Sequence, residues 1–226
     1  MGRFVFIEGL PGTGKSSIAK NLADSLAAQG ISTRLILEAA PENPLRFNTG
    51  TDQSIDVVRF VNSIMKQWVK FTQAQAGAYE EIIIIDGMVF QQQVNFLYWM
   101  NANLILQSLM AEIFKSIDAI SAQLIFFRRH DPIEAMMTLM AARGNAWIKE
   151  KILPIDESPF GIAHKLGYPQ ALEKFVNEIQ AANDDLFEKW PTAKTLINVS
   201  DNDWQRINLA ALAAAQSIRV YSRESV

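Results

Sequence analysis

Apolar residues in this 226-residue chain fall into short unbroken runs that alternate with longer stretches spaced at helical intervals. The first run, Phe4-Val5-Phe6-Ile7, reads as a strand ending at Gly9. From Lys15 the spacing changes, with Ile18, Ala19, Leu22, Ala23 and Leu26 on one helical face and Gly30 as its stop. A second strand is predicted at 33–37, followed by the polar, proline-containing loop "EAAPENPLRFNTGTD". Val57, Val58, Val61, Ile64, Met65, Trp68 and Val69 predict a helix from Gln53 to about Ala76, closed by Gly77. The third strand, "IIIID" at 82–86, does not alternate, as expected of a strand buried on both faces. "GMVFQQQVNFLYWMNAN" admits two readings, aromatics lining a pocket or a helix packed into the core.

Beyond it, a helix is predicted from about Asn103 and a strand at 123–127. Asp131 and Pro132 then suit the N-cap and first position of a helix running toward Arg143. The stretch 144–169 mixes Trp147 with lysines, prolines and glycines and is read as a lid. A helix over 170–189, a strand over 194–199 and a last helix over 203–217 complete the chain. Five strands alternating with helices predict an α/β three-layer sandwich with a mostly parallel five-stranded sheet. No repeat or low-complexity linker divides it, so 1–226 is expected to form one domain carrying the lid as an insertion.

Composition narrows the chemistry. The chain has no cysteine, which excludes disulfides, thiol chemistry and cysteine-ligated metals. His130 and His164 alone make a weak metal signal. A formal charge of -3 gives no support to extended nucleic-acid binding, and no apolar run is long enough to span a membrane. The apolar run at the N-terminus is too short for a secretory signal, so a cytoplasmic placement is expected, with a homodimer left open.

The segment Gly9-Leu10-Pro11-Gly12-Thr13-Gly14-Lys15-Ser16 fits the pattern Gly-x-x-x-x-Gly-Lys-Ser, and it stands between a predicted strand and a predicted amphipathic helix. In that setting loop amides and a helix N-terminus converge on phosphate oxygens. Glycines at 9, 12 and 14 let the backbone turn close to the anion, with Thr13, Ser16 and Ser17 beside them. Lys15 would reach the β- and γ-phosphates of ATP and Ser16 would ligate Mg2+.

With Asp86 at the end of the third strand, the chain resembles a P-loop NTPase of the nucleoside and nucleotide kinase group, including thymidylate-kinase-like and antibiotic-phosphorylating members. The resemblance implies that Asp86 binds Mg2+ beside Ser16. By location it also makes Glu38, just after the second strand, a base for an acceptor hydroxyl; a solvent-facing loop glutamate is the alternative. Deoxynucleoside and thymidylate kinases carry an arginine soon after the acidic residue, whereas here Gly87 and Met88 follow, which weakens a transfer of nucleoside specificity. Arg46 and Asn48 are compensating contacts, or Arg46 anchors its own loop.

Arg143 and Arg129 are the first two candidates for stabilising the transferring phosphoryl group, with Arg128 adjacent and helix-anchoring charge pairs as the alternative. Lys149 and Lys151 could approach an acidic substrate from the lid or stay solvated. Asn198, Ser200 and Asp201 lie in the loop that in this group often holds the base, while Asp201 or Asn202 could instead cap the last helix. The expected function is a kinase acting on a small-molecule acceptor: a nucleoside, a nucleotide or another hydroxyl-bearing metabolite. The competing reading is a regulatory ATPase whose aromatics, among them Phe96, Tyr98, Trp99 and Trp147, face a partner.

Overall fold

The computed structural model describes residues 3–47, 56–74 and 81–217. Strand β1 (Arg3–Gly9) leads into helix α1 (Lys15–Ala28), followed by β2 (Thr33–Ile36), α2 (Val57–Ala74), β3 (Ile82–Asp86) and α3 (Gln91–Trp99). A 3₁₀ turn at Asn103–Ile105 opens α4 (Leu106–Asp118), and β4 (Ser121–Arg128), α5 (Pro132–Lys151), α6 (Pro159–His164), α7 (Gln170–Glu188), β5 (Ala193–Asn198) and α8 (Trp204–Gln216) complete the order. Asn48, the Gln53 start of the second helix and Gly77 lie outside the described residues.

The five strands form one parallel sheet in the order β2-β3-β1-β4-β5. Successive residues of each central strand enter different cores. Phe4, Phe6, Ile83, Ile85, Leu124 and Phe126 pack against Trp68, Val94, Ile113 and Ile179 of α2, α3, α4 and α7. Val5, Ile7, Ile84, Ile125 and Phe127 pack against Ile18 and Leu22 of α1 and Ile207 and Ala211 of α8. Because both faces are covered, the strands need apolar residues at every position, and the unbroken runs in the sequence follow from this. The result is a three-layer α/β sandwich with β1 at its centre. Strand order changes direction around β1, so the crevice at its C-terminal end is where this architecture places ligands.

The ambiguous segment after β3 is core helix. Val89, Phe90, Val94 and Leu97 are buried, Phe96 stacks on Phe60 at 3.9 Å, and Trp99 meets Phe175 edge-on at 6.1 Å. Asp131 caps α5 as expected, accepting hydrogen bonds from the Ile133 and Glu134 amides at 2.8 and 3.2 Å, with Pro132 at the first position. The first helical segment runs to Arg143 as expected, Gly144 (φ 77°, ψ 176°) breaks it, and a second helical segment continues to Lys151.

Much of the rest of 144–169 is also helical. Pro154 and Pro159 open a 3₁₀ turn and α6 rather than loops, because proline is pre-set for the first turn of a helix. Ile155 and Phe160 are buried, and the Ser158 hydroxyl caps α6 by accepting from the Gly161 amide. Among the described residues no helix is long and apolar enough to cross a membrane.

Candidate active site

The loop between β1 and α1 is shaped by positive-φ glycines. Gly9 (φ 144°) lies so close to β4 that a side chain there would begin 2.4 Å from the Phe127 carbonyl oxygen. Gly14 (φ 83°) is the N-cap of α1, which has no side-chain cap and no acidic residue in its first turn. The first amides of α1 are therefore left without the partner a capping side chain would give, which is the condition for an anion site. Lys15 is 6% exposed, and its Nζ donates to the Leu10 carbonyl at 2.9 Å, where the Thr13 hydroxyl and amide also donate.

Trp204, the first residue of α8, closes the outer side of this loop. Its ring atoms lie 2.8 and 2.9 Å from where a Gly14 side chain would begin. Gly14→Ala is thus expected to destabilise the protein by about 1–3 kcal/mol, from an unfavourable φ and a clash together. Thermal unfolding checks this, and Trp204→Ala in the same background should recover part of the loss.

Ser16 and Asp86 meet at the end of β3, where the Ser16 hydroxyl donates to Asp86 Oδ2 at 2.5 Å. Asp86 is fully buried, and its other oxygen, Oδ1, has no hydrogen-bond partner among the described residues. A buried carboxylate oxygen without a donor, next to a hydroxyl, suits a hard divalent cation, so these residues fit Mg2+.

Glu38 lies beside them. Its Oε2 and the Lys15 Cε stand 3.3 and 3.6 Å from the point where a Gly87 side chain would begin, so both side chains flank Gly87 (φ 68°). Burial raises the Glu38 pKa, Lys15 opposes the rise, Asp86 adds to it, and a hydrogen bond with the Gln91 side chain lowers it. The loop that carries Glu38 is fixed by Asn43, which donates to the Leu37 carbonyl at 2.9 Å and accepts from the Leu45 amide at 3.0 Å. Gln92 ties the same loop to α3 through the Phe47 amide and the Leu45 carbonyl. Arg46 donates to the Ala39 carbonyl at 3.3 Å and so anchors its own loop.

Glu8 is a site residue that sequence reasoning missed. It is fully buried at the penultimate position of β1, and its two oxygens accept from the Val89 and Gln91 amides at 2.6 and 3.2 Å. Burial pushes its pKa up to about 7, against the lowering effects of these amides and Lys15. Because the folded value exceeds the unfolded one, the linked stability is fully present below pH 4.5 and is lost as pH rises through about 7. Measured against Glu8→Gln, the wild-type unfolding free energy should therefore fall by about 3 kcal/mol across that range, which denaturant titrations at several pH values would read.

The three arginines have different surroundings. Arg128 pairs through Nε and Nη2 with Asp184 of α7 at 3.0–3.1 Å, a helix-anchoring contact. Arg129 is 4% exposed and donates to Asn202 Oδ1 at 2.5 Å, while its Nε is buried without a partner among the described residues. Arg143 is exposed just before the Gly144 break.

Asn198 and Ser200 are stitched to the end of β4. The Asn198 amide nitrogen lies 2.8 Å from His130 Nε2, its oxygen accepts from the Ser200 amide at 2.8 Å, and Ser200 Oγ accepts from the His130 amide at 2.9 Å. Asp203 caps α8, not Asp201 or Asn202: Asp201 pairs with Arg206, and Asn202 receives Arg129. The loop between β1 and α1, Glu38, Asp86, Arg129 and the 198–203 loop thus all stand at the C-terminal edge of the sheet. Ser17 is exposed on the first turn of α1, beside that edge.

No family model matches the chain, and no curated protein matches it in sequence. Its fold is similar to that of thymidylate kinase from Ehrlichia chaffeensis, at 16% identity and a TM-score of 0.55, covering 95% of this chain and 98% of that one. The likeness is one of architecture, a parallel five-stranded sheet between layers of helices.

Proposed function

We propose that the chain is an ATP-dependent phosphotransferase that moves a γ-phosphoryl group to a small-molecule hydroxyl. The observation that carries this reading is the uncapped α1 N-terminus behind positive-φ glycines, with Lys15 and the Ser16–Asp86 pair at its mouth. The Gly9–Ser17 segment would cradle the phosphates of ATP, and Ser16 and Asp86 would hold Mg2+, which supplies charge neutralisation on the β- and γ-oxygens.

Glu38 would orient the acceptor hydroxyl and take its proton as the hydroxyl oxygen bonds to phosphorus and the bond to the β,γ-bridging oxygen breaks, releasing ADP. A carboxyl whose pKa is raised by burial is a stronger base, which favours this role. Arg129 and Arg143 are the proposed partners of the transferring phosphoryl oxygens, and Asn198 and Ser200 those of the nucleotide base. The segment 144–169, hinged at Gly144, is the proposed lid that excludes water.

A partner-binding ATPase is less well supported, because Phe96, Tyr98, Trp99 and Trp147 all pack against the core. The test is transfer from γ-labelled ATP into a small-molecule library, with Lys15→Ala as the control. One labelled metabolite, absent with the variant, supports the kinase; label appearing only in free phosphate contradicts it.

A further inference from the structure

We propose that Glu8 is a positioning residue that sets the acceptor side of the site, by clamping the first turn of α3 so that Gln91 is aimed at Glu38. The proposal deepens the phosphotransferase reading and rests on it for its chemical consequence.

Glu8 directly precedes Gly9, so its backbone lies at the end of β1 beside the loop that leads into α1, while its side chain reaches across to the segment after β3. α3 begins with no side-chain cap from its own chain segment, its N-cap being Phe90. The Glu8 carboxylate does the work of that missing cap from a neighbouring strand, holding the Val89 and Gln91 amides. A carboxylate on a helix N-terminus is favoured by charge–dipole attraction as well as by its hydrogen bonds.

The clamp has a direct consequence for the site. The side chain of the clamped residue Gln91 acts on the Glu38 carboxyl, holding its pKa down against burial, while the Gln91 Oε1 is buried without a partner among the described residues. Gln91 can make this contact only if the first turn of α3 is fixed in rotation and height. Gln92 repeats the arrangement one residue later, binding the loop that follows Glu38. Lys15 is the charged side chain that acts on Glu8, and α3 meets it with backbone amides. Loss of one of the two Glu8 acceptor oxygens should therefore loosen α3 and Glu38 together while leaving the α1 amides in place.

The test compares the full-length wild type with Glu8→Gln, Glu8→Asp and Gln91→Ala by amide hydrogen exchange and by calorimetric titration with Mg2+·ATP. Glu8→Gln should speed exchange in peptides covering 88–92 by about tenfold, because an NH2 group replaces one of the two oxygens that accept from the Val89 and Gln91 amides. Exchange at 37–40 should rise with it, and Gln91→Ala should reproduce the 37–40 change without the 88–92 change. ATP affinity should stay within about threefold of wild type, a difference below the 1.4 kcal/mol of a tenfold change. With the acceptor that the library screen labels, acceptor KM should rise and ATP KM should hold.

Wild-type protection at 88–92 in Glu8→Gln would overturn the proposal, and so would a fall in ATP affinity matching that of Lys15→Ala. Glu8→Asp keeps the charge on a shorter stem and should shift exchange in the same direction by less; it carries the measurement if the glutamine variant does not fold. The exchange arm requires no turnover, so it judges the clamp even if no acceptor is ever labelled.

Discussion

Lys15→Ala is expected to lower phosphoryl transfer by on the order of 10³-fold while the sheet and its helices stay folded. Lys15 ends on the Leu10 carbonyl, which still accepts from Thr13 when the lysine is gone, so little of the loop's own structure depends on it. Lost instead is the positive charge nearest the uncapped amides of α1. That charge is worth most when negative charge builds on the transferring group in a site closed to water. Circular dichroism and transfer kinetics on the same preparation check both halves of the expectation. Lys15→Met, which keeps an apolar stem in this mostly buried position, distinguishes loss of charge from loss of packing. Ordinary turnover in either folded variant would remove Lys15 from the chemistry.

Glu38→Gln is expected to reduce turnover by about 10²–10⁴-fold with little change in ATP KM, since an amide orients a hydroxyl but does not take its proton. The pH dependence has a defined sign. Glu38 acts as a base when ionised, so wild-type turnover should rise with pH through its upward-shifted pKa, and that rising limb should vanish in Glu38→Gln. Burial also pushes the Glu8 pKa up, to about 7, so Glu8 is a second source of such a limb. The assignment to Glu38 therefore requires that the limb persist in Glu8→Gln. A rising limb that survives in Glu38→Gln would take the base role away from Glu38.

The parts of the fold set by nearest neighbours along the chain were legible. Phe4-Val5-Phe6-Ile7 and the isoleucines at 82–85 could only be doubly buried strands, and the glycine spacing at 9–14 announced the turn between β1 and α1. Asp131-Pro132 marked the start of α5 through cap chemistry confined to three residues.

What escaped reading depends on partners far away in sequence. Glu8 looked like one polar residue at a strand's end, because the amides that hold it belong to residues 89 and 91. Trp204 gave no sign that it would pack on Gly14. Arg128 and Arg129 are adjacent and chemically identical, yet one, the last residue of β4, faces Asp184 of α7 and the other, just past the strand, faces Asn202 in the loop before α8, a division that only the placement of those distant segments decides. The helical character of much of 144–169 was hidden by its prolines, which in this segment start helical turns at Leu153–Glu157 and α6.

The most direct measurement is a crystal structure with Mg2+ and a non-hydrolysable ATP analogue. The expected result is terminal phosphates within hydrogen-bonding distance of the amides at 12–17 and of Lys15 Nζ, with the cation against Ser16 and Asp86. Phosphates bound elsewhere, or Lys15 still donating to the Leu10 carbonyl beside a bound nucleotide, would contradict the proposal that this loop grips ATP for transfer.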